Sequence, residues 1–280
     1  MNGPVLVILA AGRARRFGGV KPLAPIGLHG EAVIDLIASD AYEAGFAHIV
    51  VVINPDTGPL IREHISRHWP SDKSVAFATQ ERPLGTVHAV LSAIDMLDPS
   101  VPFGVCNADD LYGRDAMVAL GRQLTSQGDN CLVAFRLDHA LVGDQPVTRG
   151  VCHVTDGILA SIAERRQVTA TPTGFTSGDG LEPAHLEPDT LVSMNLWGFN
   201  ASMWDVFRAA MASAAASEES EVLLPEIIGE QIRRGTATFH ALPATSRCVG
   251  VTHADDLPVV QAEIAQQVAR GERGEFAFRS

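Results

Sequence analysis

The segment PVLVILAAGRARRFGGVKPL near the start of the chain constrains its fold more than any other stretch. Val5–Leu9 is a continuous apolar run without polar alternation, the pattern of a strand whose sheet is covered on both faces, as parallel α/β sheets are. The run breaks into Ala10, Ala11 and Gly12, small residues whose backbone N–H groups can approach an anion closely. Arg13, Arg15, Arg16 and Lys21 follow at once. Backbone donors and several cations at the end of a buried strand suit a polyphosphate, whose clustered charge must be neutralised before another anion can attack it. Alone, the same turn is also compatible with an ordinary surface loop. Two known phosphate motifs do not fit it. Ala14 stands where a dinucleotide fingerprint needs its second glycine, and Lys21 comes too late after Gly12 for a P-loop.

Beyond this turn, helical and extended patterns alternate. Residues 31–44 carry apolar side chains at helical spacing and stop at Gly45, and His48–Ile53 reads as a buried strand closed by Asn54 and Pro55. Strands are predicted at residues 75–78, 103–106 and 131–136, with helices at 86–97 and 115–127, which is βαβ grammar. After Arg149 the rhythm changes to extended pieces at 150–154 and 191–199 and helices at 202–216, 221–234 and 256–270. Residues 168–188, rich in Thr, Gly, Pro and Glu without periodicity, read as a long loop or flap. At 280 residues and 46% hydrophobic, the chain can bury a full core. Its net charge of −12 disfavours nucleic acid and anionic membranes as partners. An anionic substrate must then be met by a local basic patch, and residues 13–21 form the dense one. The cysteines, Cys106, Cys131, Cys152 and Cys248, show no CxxC pairing and read as reduced, mostly buried thiols. The first apolar run is too short for a membrane span, and no basic segment precedes it, so a cytoplasmic location is expected. No histidine spacing indicates zinc.

Three motifs together carry a family resemblance. LAAGRARRFGGVKPL resembles the signature loop of the nucleotidylyltransferases that join a nucleoside triphosphate to a sugar 1-phosphate; QERPLGTVHAV from Gln80 resembles their second motif; NADDLYG from Asn107 resembles their metal-binding strand end. The resemblance covers the chain up to Gly113. It implies an α/β, Rossmann-like nucleotidyltransferase fold with a mixed, mostly parallel central sheet flanked by helices. Residues 1–280 are expected to form one domain, with a nucleotide-binding half at 1–130, a sugar-phosphate-binding half at 131–255, and a C-terminal helix and tail at 256–280.

Residue by residue, the resemblance assigns Arg16 to the departing pyrophosphate, Lys21 to the α-phosphate and the incoming phosphate, and Asp109 to Mg²⁺ with assistance from Asp110. Leu9, Ala10, Ala11, Gly12 and Arg13 would surround the nucleotide, with Pro83 and Thr86 beside it. Gln80 matches the base-reading glutamine; a carboxamide complements the N3–H and carbonyls of uracil or thymine, so UTP or dTTP leads, with CTP, ATP and GTP open. Gly85 is expected to let the backbone approach the base unobstructed. Toward the acceptor, Asn107, Gly150, Glu164, Arg165 and Asn195 match residues lining the sugar phosphate, Arg165 replacing a lysine. Read alone, Asp109–Asp110 could be a turn or helix cap, Gln80 a solvated loop residue, and Glu164–Arg165 a solvated ion pair. His88 reads as a packing or solvated histidine.

The chain departs from the pattern in three places. Ala14 replaces a glycine, Arg15 replaces a Ser or Thr, and Gly250 or Val251 stands where many relatives carry a second metal-binding aspartate. Asp255 or Asp256 could substitute, or could begin the last helix as cap and first-turn acid. The expected activity is transfer of a nucleoside monophosphate to a sugar 1-phosphate with release of pyrophosphate. A polyol, cyclitol or phosphonate acceptor, and a silent regulatory binder of nucleotide sugars, stay open, as does self-association through the late helices.

Overall fold

The computed structural model describes residues 3–12, 18–141, 145–217, 221–251 and 256–278. Its centre is an eleven-stranded mixed sheet. The strand β1 (Val5–Leu9) lies between β2 (His48–Ile53) and β4 (Phe103–Asn107), and β3 (Val75–Thr79) forms the edge beyond β2; all of these neighbours pair in parallel. The connections are helices, α1 (Val33–Glu43) from β1 to β2, α2 (Gly58–His68) from β2 to β3, and α3 (Thr86–Ser92) from β3 to β4.

The unbroken apolar run of β1 has a direct structural cause. Alternation along the strand sends Leu6 and Ile8 into one core and Val7 into the other. The first core is covered by α1, α2, α4 (Arg114–Ser126) and α7 (Leu257–Ala269), and the second by α3, α5 (Met203–Ser217) and α6 (Leu224–Arg234). A strand buried on both sides can carry no polar face.

Past β4 the sheet changes character. Its next strand, β11 (Leu191–Phe199), runs antiparallel between β4 and β6 (Cys131–Arg136), and β12 (His240–Pro243) continues in parallel beyond β6. A long hairpin, β7 (Val147–Thr155) and β8 (Ile158–Thr171), joins through β11 and β12, and the end of β8 far from the hairpin turn carries β9 (Gly174–Thr176) and β10 (His185–Leu186). The predicted flap over residues 168–188 is therefore partly ordered as strand: β8 extends through Thr171, and β9 and β10 pair with each other. The small pair β5 (Asp110–Leu111) and β13 (Val249–Gly250) sits outside the main sheet.

Strands 48–53, 131–136 and 191–199 have the bounds predicted from sequence, and the helix expected at 31–44 is α1. The predicted helix at 86–97 stops after Ser92 and continues only as a 3₁₀ turn, Ile94–Met96. Helix α2 is not evident in the sequence because only Ile61 and Ile65 of its large apolar residues are buried. Among the described residues no helix is long and apolar enough to cross a membrane. All four cysteines are buried and unbridged, and burial pushes the Cys131 and Cys152 thiols up to about 12.

Gly104 of β4 and Gly198 of β11 face each other across the ladder, and α4 packs onto this bare patch through Leu120. A Cβ on Gly198 would meet Cys131 Sγ at 2.5 Å and Leu120 Cδ1 at 3.0 Å. Gly198→Ala is therefore expected to overpack the core and lose about 1–3 kcal/mol, read as a lower midpoint in urea unfolding with an unchanged slope.

Candidate active site

The register of β1 and β4 builds the site. Leu9 pairs with Asn107, so the two strands end side by side and the turns after them emerge together. This is the crevice beyond the carboxyl ends of the strands where the strand order reverses, β2 and β3 lying on one side of β1 and β4 on the other. Lys21, opening the short 3₁₀ turn Lys21–Leu23, returns from the first turn and places Nζ 3.4 Å from Asp109 Oδ2. Residues 88 positions apart thus share one point in space.

Three cavities meet at Asp109. The largest, about 520 Å³, is lined by Leu9, Ala11, Gly12, Gln80, Pro83, Gly85, Thr86 and Asp109, together with Asn107 and Asn195. A small one of about 130 Å³ joins Ala10 and Gly12 to Lys21 and Asp109. The third, about 270 Å³, holds Asn107, Asp109, Asp110, Gly150, Glu164 and Asn195. Arg13 and Arg16 lie outside the described residues. All the other residues expected at the site except Arg165 line one or more of these cavities.

Several supports are visible only in three dimensions. Asn54 donates from Nδ2 to the Ala11 carbonyl at 3.1 Å, anchoring the start of the first turn; in the sequence it marks only the end of β2. Residues 221–223 cover the amino end of α3, with Glu221 and Leu223 in the cavity wall and Leu224 N donating to Thr86 Oγ1 at 2.8 Å. Gly85 has φ +91°, and a Cβ there would overlap the backbone of Val222. The glycine thus makes room for the 221–223 segment while its backbone also lines the largest of these cavities. Gln80 is 6% exposed, and its Nε2 donates to Gly85 O at 3.0 Å and to His88 Nδ1 at 3.2 Å.

Arg165 does not line the third cavity. Strand alternation turns it away from the face carrying Glu164, and it is buried. Its guanidinium binds both carboxylate oxygens of Asp179, at 2.9 and 3.1 Å, the Ser177 hydroxyl, and the carbonyls of Leu181 and Pro183. These bonds hold Asp179 well below the usual carboxylate range and pin the β9–β10 excursion to β8. Glu164 instead pairs with Arg166 at 3.0 Å. The cation that lines the chamber is Arg149 on β7, a residue whose role has no motif to announce it. Its guanidinium donates to the carbonyls of Ala140 and Thr148, and among the described residues no carboxylate pairs with it.

Asn195 stands between the two larger cavities because β11 bulges. The pairing of β11 with β6 shifts register between Ser193 and Trp197, and Asn195 takes φ +59°. Asparagine tolerates this left-handed conformation better than most residues, and bulges often re-aim side chains beside functional clefts. The Trp197 indole N–H donates to Asn195 Oδ1 at 3.2 Å and holds the side chain.

Beside Asp109 lies a second carboxylate. Burial first, and the Asp109 charge next, push Asp110 up to about 6, against a hydrogen bond from Asn107 Nδ2 at 2.9 Å. A Cβ on Gly250 would overlap Asp110 Oδ1, so the Asp110 carboxylate occupies the space at position 250 where relatives' aspartates were expected. Asp256 lies at the amino end of α7, and Asp255 is outside the described residues. No group of three His, Cys, Asp or Glu side chains forms a ready-made metal cage among the described residues. The donor set does fit Mg²⁺, a hard cation that usually takes one or two carboxylates and completes its shell with phosphate oxygens and water.

The family model of the MobA-like NTP transferase domain matches residues 6–275. The chain belongs to this family. A bifunctional protein GlmU from Hyphomonas neptunium is 25% identical over 275 residues, covering 94% of this chain and 52% of that protein. A GlmU from Ralstonia pickettii is 36% identical over 104 residues, 37% of this chain and 22% of the relative. The chain thus spans about half of the first relative and less of the second. A Bacillus anthracis structure described as a candidate glucose-1-phosphate thymidylyltransferase, solved with sucrose, shares the fold with a TM-score of 0.68 at 12% identity, covering 92% of this chain and 94% of that one. The MobA-like match and this structure agree with the Rossmann-like nucleotidyltransferase fold expected from the motifs.

The placement of Arg165 has a measurable consequence. Arg165→Ala takes away the cation paired with the buried Asp179 carboxylate and the donor to two carbonyls, so the thermal midpoint should fall by about 5 °C or more. Affinity for an anionic ligand at the site, measured below that midpoint, should stay within about twofold because the side chain does not line the chamber.

Proposed function

We propose that this chain is a Mg²⁺-dependent nucleotidylyltransferase that transfers a nucleoside monophosphate, from UTP or dTTP, to a sugar 1-phosphate and releases pyrophosphate. The observation that carries the reading is the 3.4 Å approach of Lys21 to Asp109 at the junction of a larger and a smaller cavity. Two chambers that meet at Asp109, with Lys21 beside it in the 130 Å³ cavity, suit a reaction between two anions that must be brought to about 3–3.5 Å of one another.

In this reading the larger cavity takes the nucleotide, with Gln80 toward the base and the Ala10–Gly12 turn toward the phosphates. Asn107, Glu164 and Asn195 line the acceptor chamber, with Arg149 rather than Arg165 supplying the positive charge. Lys21 would contact both the α-phosphate and the incoming phosphate, lowering their repulsion as the in-line transition state forms. Asp109, with Asp110 beside it, would hold Mg²⁺, which when bound supplies further neutralisation of the phosphate oxygens. No protein nucleophile is needed, because the attacking oxygen already belongs to an ionised phosphate. Arg16 would complete the cationic rim on the pyrophosphate side.

The direct test is a matrix of the five common nucleoside triphosphates against a panel of sugar, polyol and cyclitol phosphates, with pyrophosphate release as the readout. Release that requires both UTP or dTTP and a sugar 1-phosphate is expected; tight nucleotide-sugar binding without release under any combination would overturn the reading. Lys21→Ala and Asp109→Asn should each lower turnover by about 10²–10³-fold or more while the unfolding midpoint changes little. Arg149→Ala should raise the KM for the acceptor phosphate by about tenfold to a hundredfold, the loss of a charge-assisted hydrogen bond, with a smaller effect on the KM for the nucleotide.

A further inference from the structure

We propose that Tyr112 is a positioning residue whose phenolic hydroxyl stands in for a missing rung between β4 and β11, and so sets the width of the cleft where the two larger cavities meet. The proposal rests on the reading of those cavities as the nucleotide and acceptor sites, since the width then governs how closely the two phosphates approach.

The two cavities share three wall residues, Asn107, Asp109 and Asn195. Asn107 ends β4 and Asn195 stands in the bulge of β11, so the spacing of these strands fixes the spacing of the shared wall. An unbroken antiparallel ladder would run on from the Trp197–Val105 pair and set Asn195 directly opposite Asn107. Residues paired in that way lie about 4.5–5.5 Å apart at Cα and leave no room for a ligand between them. The pairing with β4 instead stops at Trp197, and the Asn107 N–H and the Met194 carbonyl must find other partners.

Tyr112 supplies both. Its Oη accepts from Asn107 N at 2.9 Å and donates to Met194 O at 2.9 Å. One hydroxyl thus spans a gap that the two backbones do not close. The residue is wholly buried, and its own position is held from two sides: Phe135 of β6 packs against the ring at 6.1 Å between centroids, and Ser246 Oγ donates to the Tyr112 carbonyl at 2.8 Å. Phenylalanine in its place would keep the ring and remove donor and acceptor together. An N–H and a carbonyl left unpaired inside the protein favour bonding to each other, which draws β4 and β11 together and narrows the shared wall.

Steady-state turnover and equilibrium binding of Tyr112→Phe test the idea, with the nucleotide and the sugar 1-phosphate that the wild-type chain accepts. At saturating concentrations of both, kcat should fall about tenfold to a hundredfold, because a shift on the order of 1 Å misaligns the two reactants. The Kd of the nucleotide alone, which occupies one cavity, should stay within about threefold. Tyr42→Phe is the control: Tyr42 Oη also donates to a carbonyl, Ser74 O at 2.8 Å, and neither residue lines the two cavities. A merely structural Tyr112 would lower the unfolding midpoint and leave kcat unchanged below it, as Tyr42→Phe should. Unchanged kcat in Tyr112→Phe, an equal fall in Tyr42→Phe, or a nucleotide Kd weakened by the same factor as kcat overturns the proposal while the transfer reaction stands. No turnover by the wild-type chain with any substrate pair overturns the reading and the proposal together. Should Tyr112→Phe not fold, Tyr112→Met, which also fills the core without a hydroxyl, gives the same test.

Discussion

The parallel pairing of β1 with β4, Leu9 beside Asn107, is the constraint on which the site depends. It makes two chain segments far apart in sequence end at the same level on adjacent strands. Lys21 from one and Asp109 from the other then come within 3.4 Å. The pairing is maintained by a strand buried on both faces, and so by helices on both sides of the sheet; a one-residue slip would exchange the residues of the two cores and separate the turns.

The second constraint is the bulge in β11. Before it, β11 pairs with β7 through Val192 and Ser193; after it, Trp197–Phe199 pair with β4. One strand therefore passes from the acceptor chamber to the central sheet, and Asn195 stands at the transition. The cost of its left-handed backbone is modest for asparagine, and the packing of Trp197 and Phe199 side by side in the same core holds it in place.

The first half of the site was legible because its residues lie in contiguous motifs, each following a strand end. Leu9–Gly12, Lys21, Gln80, Pro83, Thr86, Asn107 and Asp109 all line the joined cavities. The second half was less so. Glu164 and Arg165 look like one pair in the sequence, yet strand alternation sends them to different surroundings, one into the chamber and the other into the β9–β10 anchor. Gly85 was read correctly as a place where something approaches the backbone, but that something is Val222, whose position depends on how the segment before α6 packs. His88 was read as a packing or solvated histidine, and its contact with Gln80 could not be foreseen because a histidine's partner is a matter of distance across a helix terminus.

The sequence by itself determined the class of fold, the strand ends from which chemistry can be presented, and the residue types gathered at the first of them, because hydrophobic periodicity and short motifs are local properties. Only the tertiary structure decided that Arg149 lines the same cavity as Asp109 and Glu164, that Asp110 fills the space beside Gly250, and that the Gln80 amide bonds the Gly85 carbonyl. Each of these is set by contacts between segments distant in the chain, and the free energy of such contacts depends on separation and orientation that no local pattern encodes.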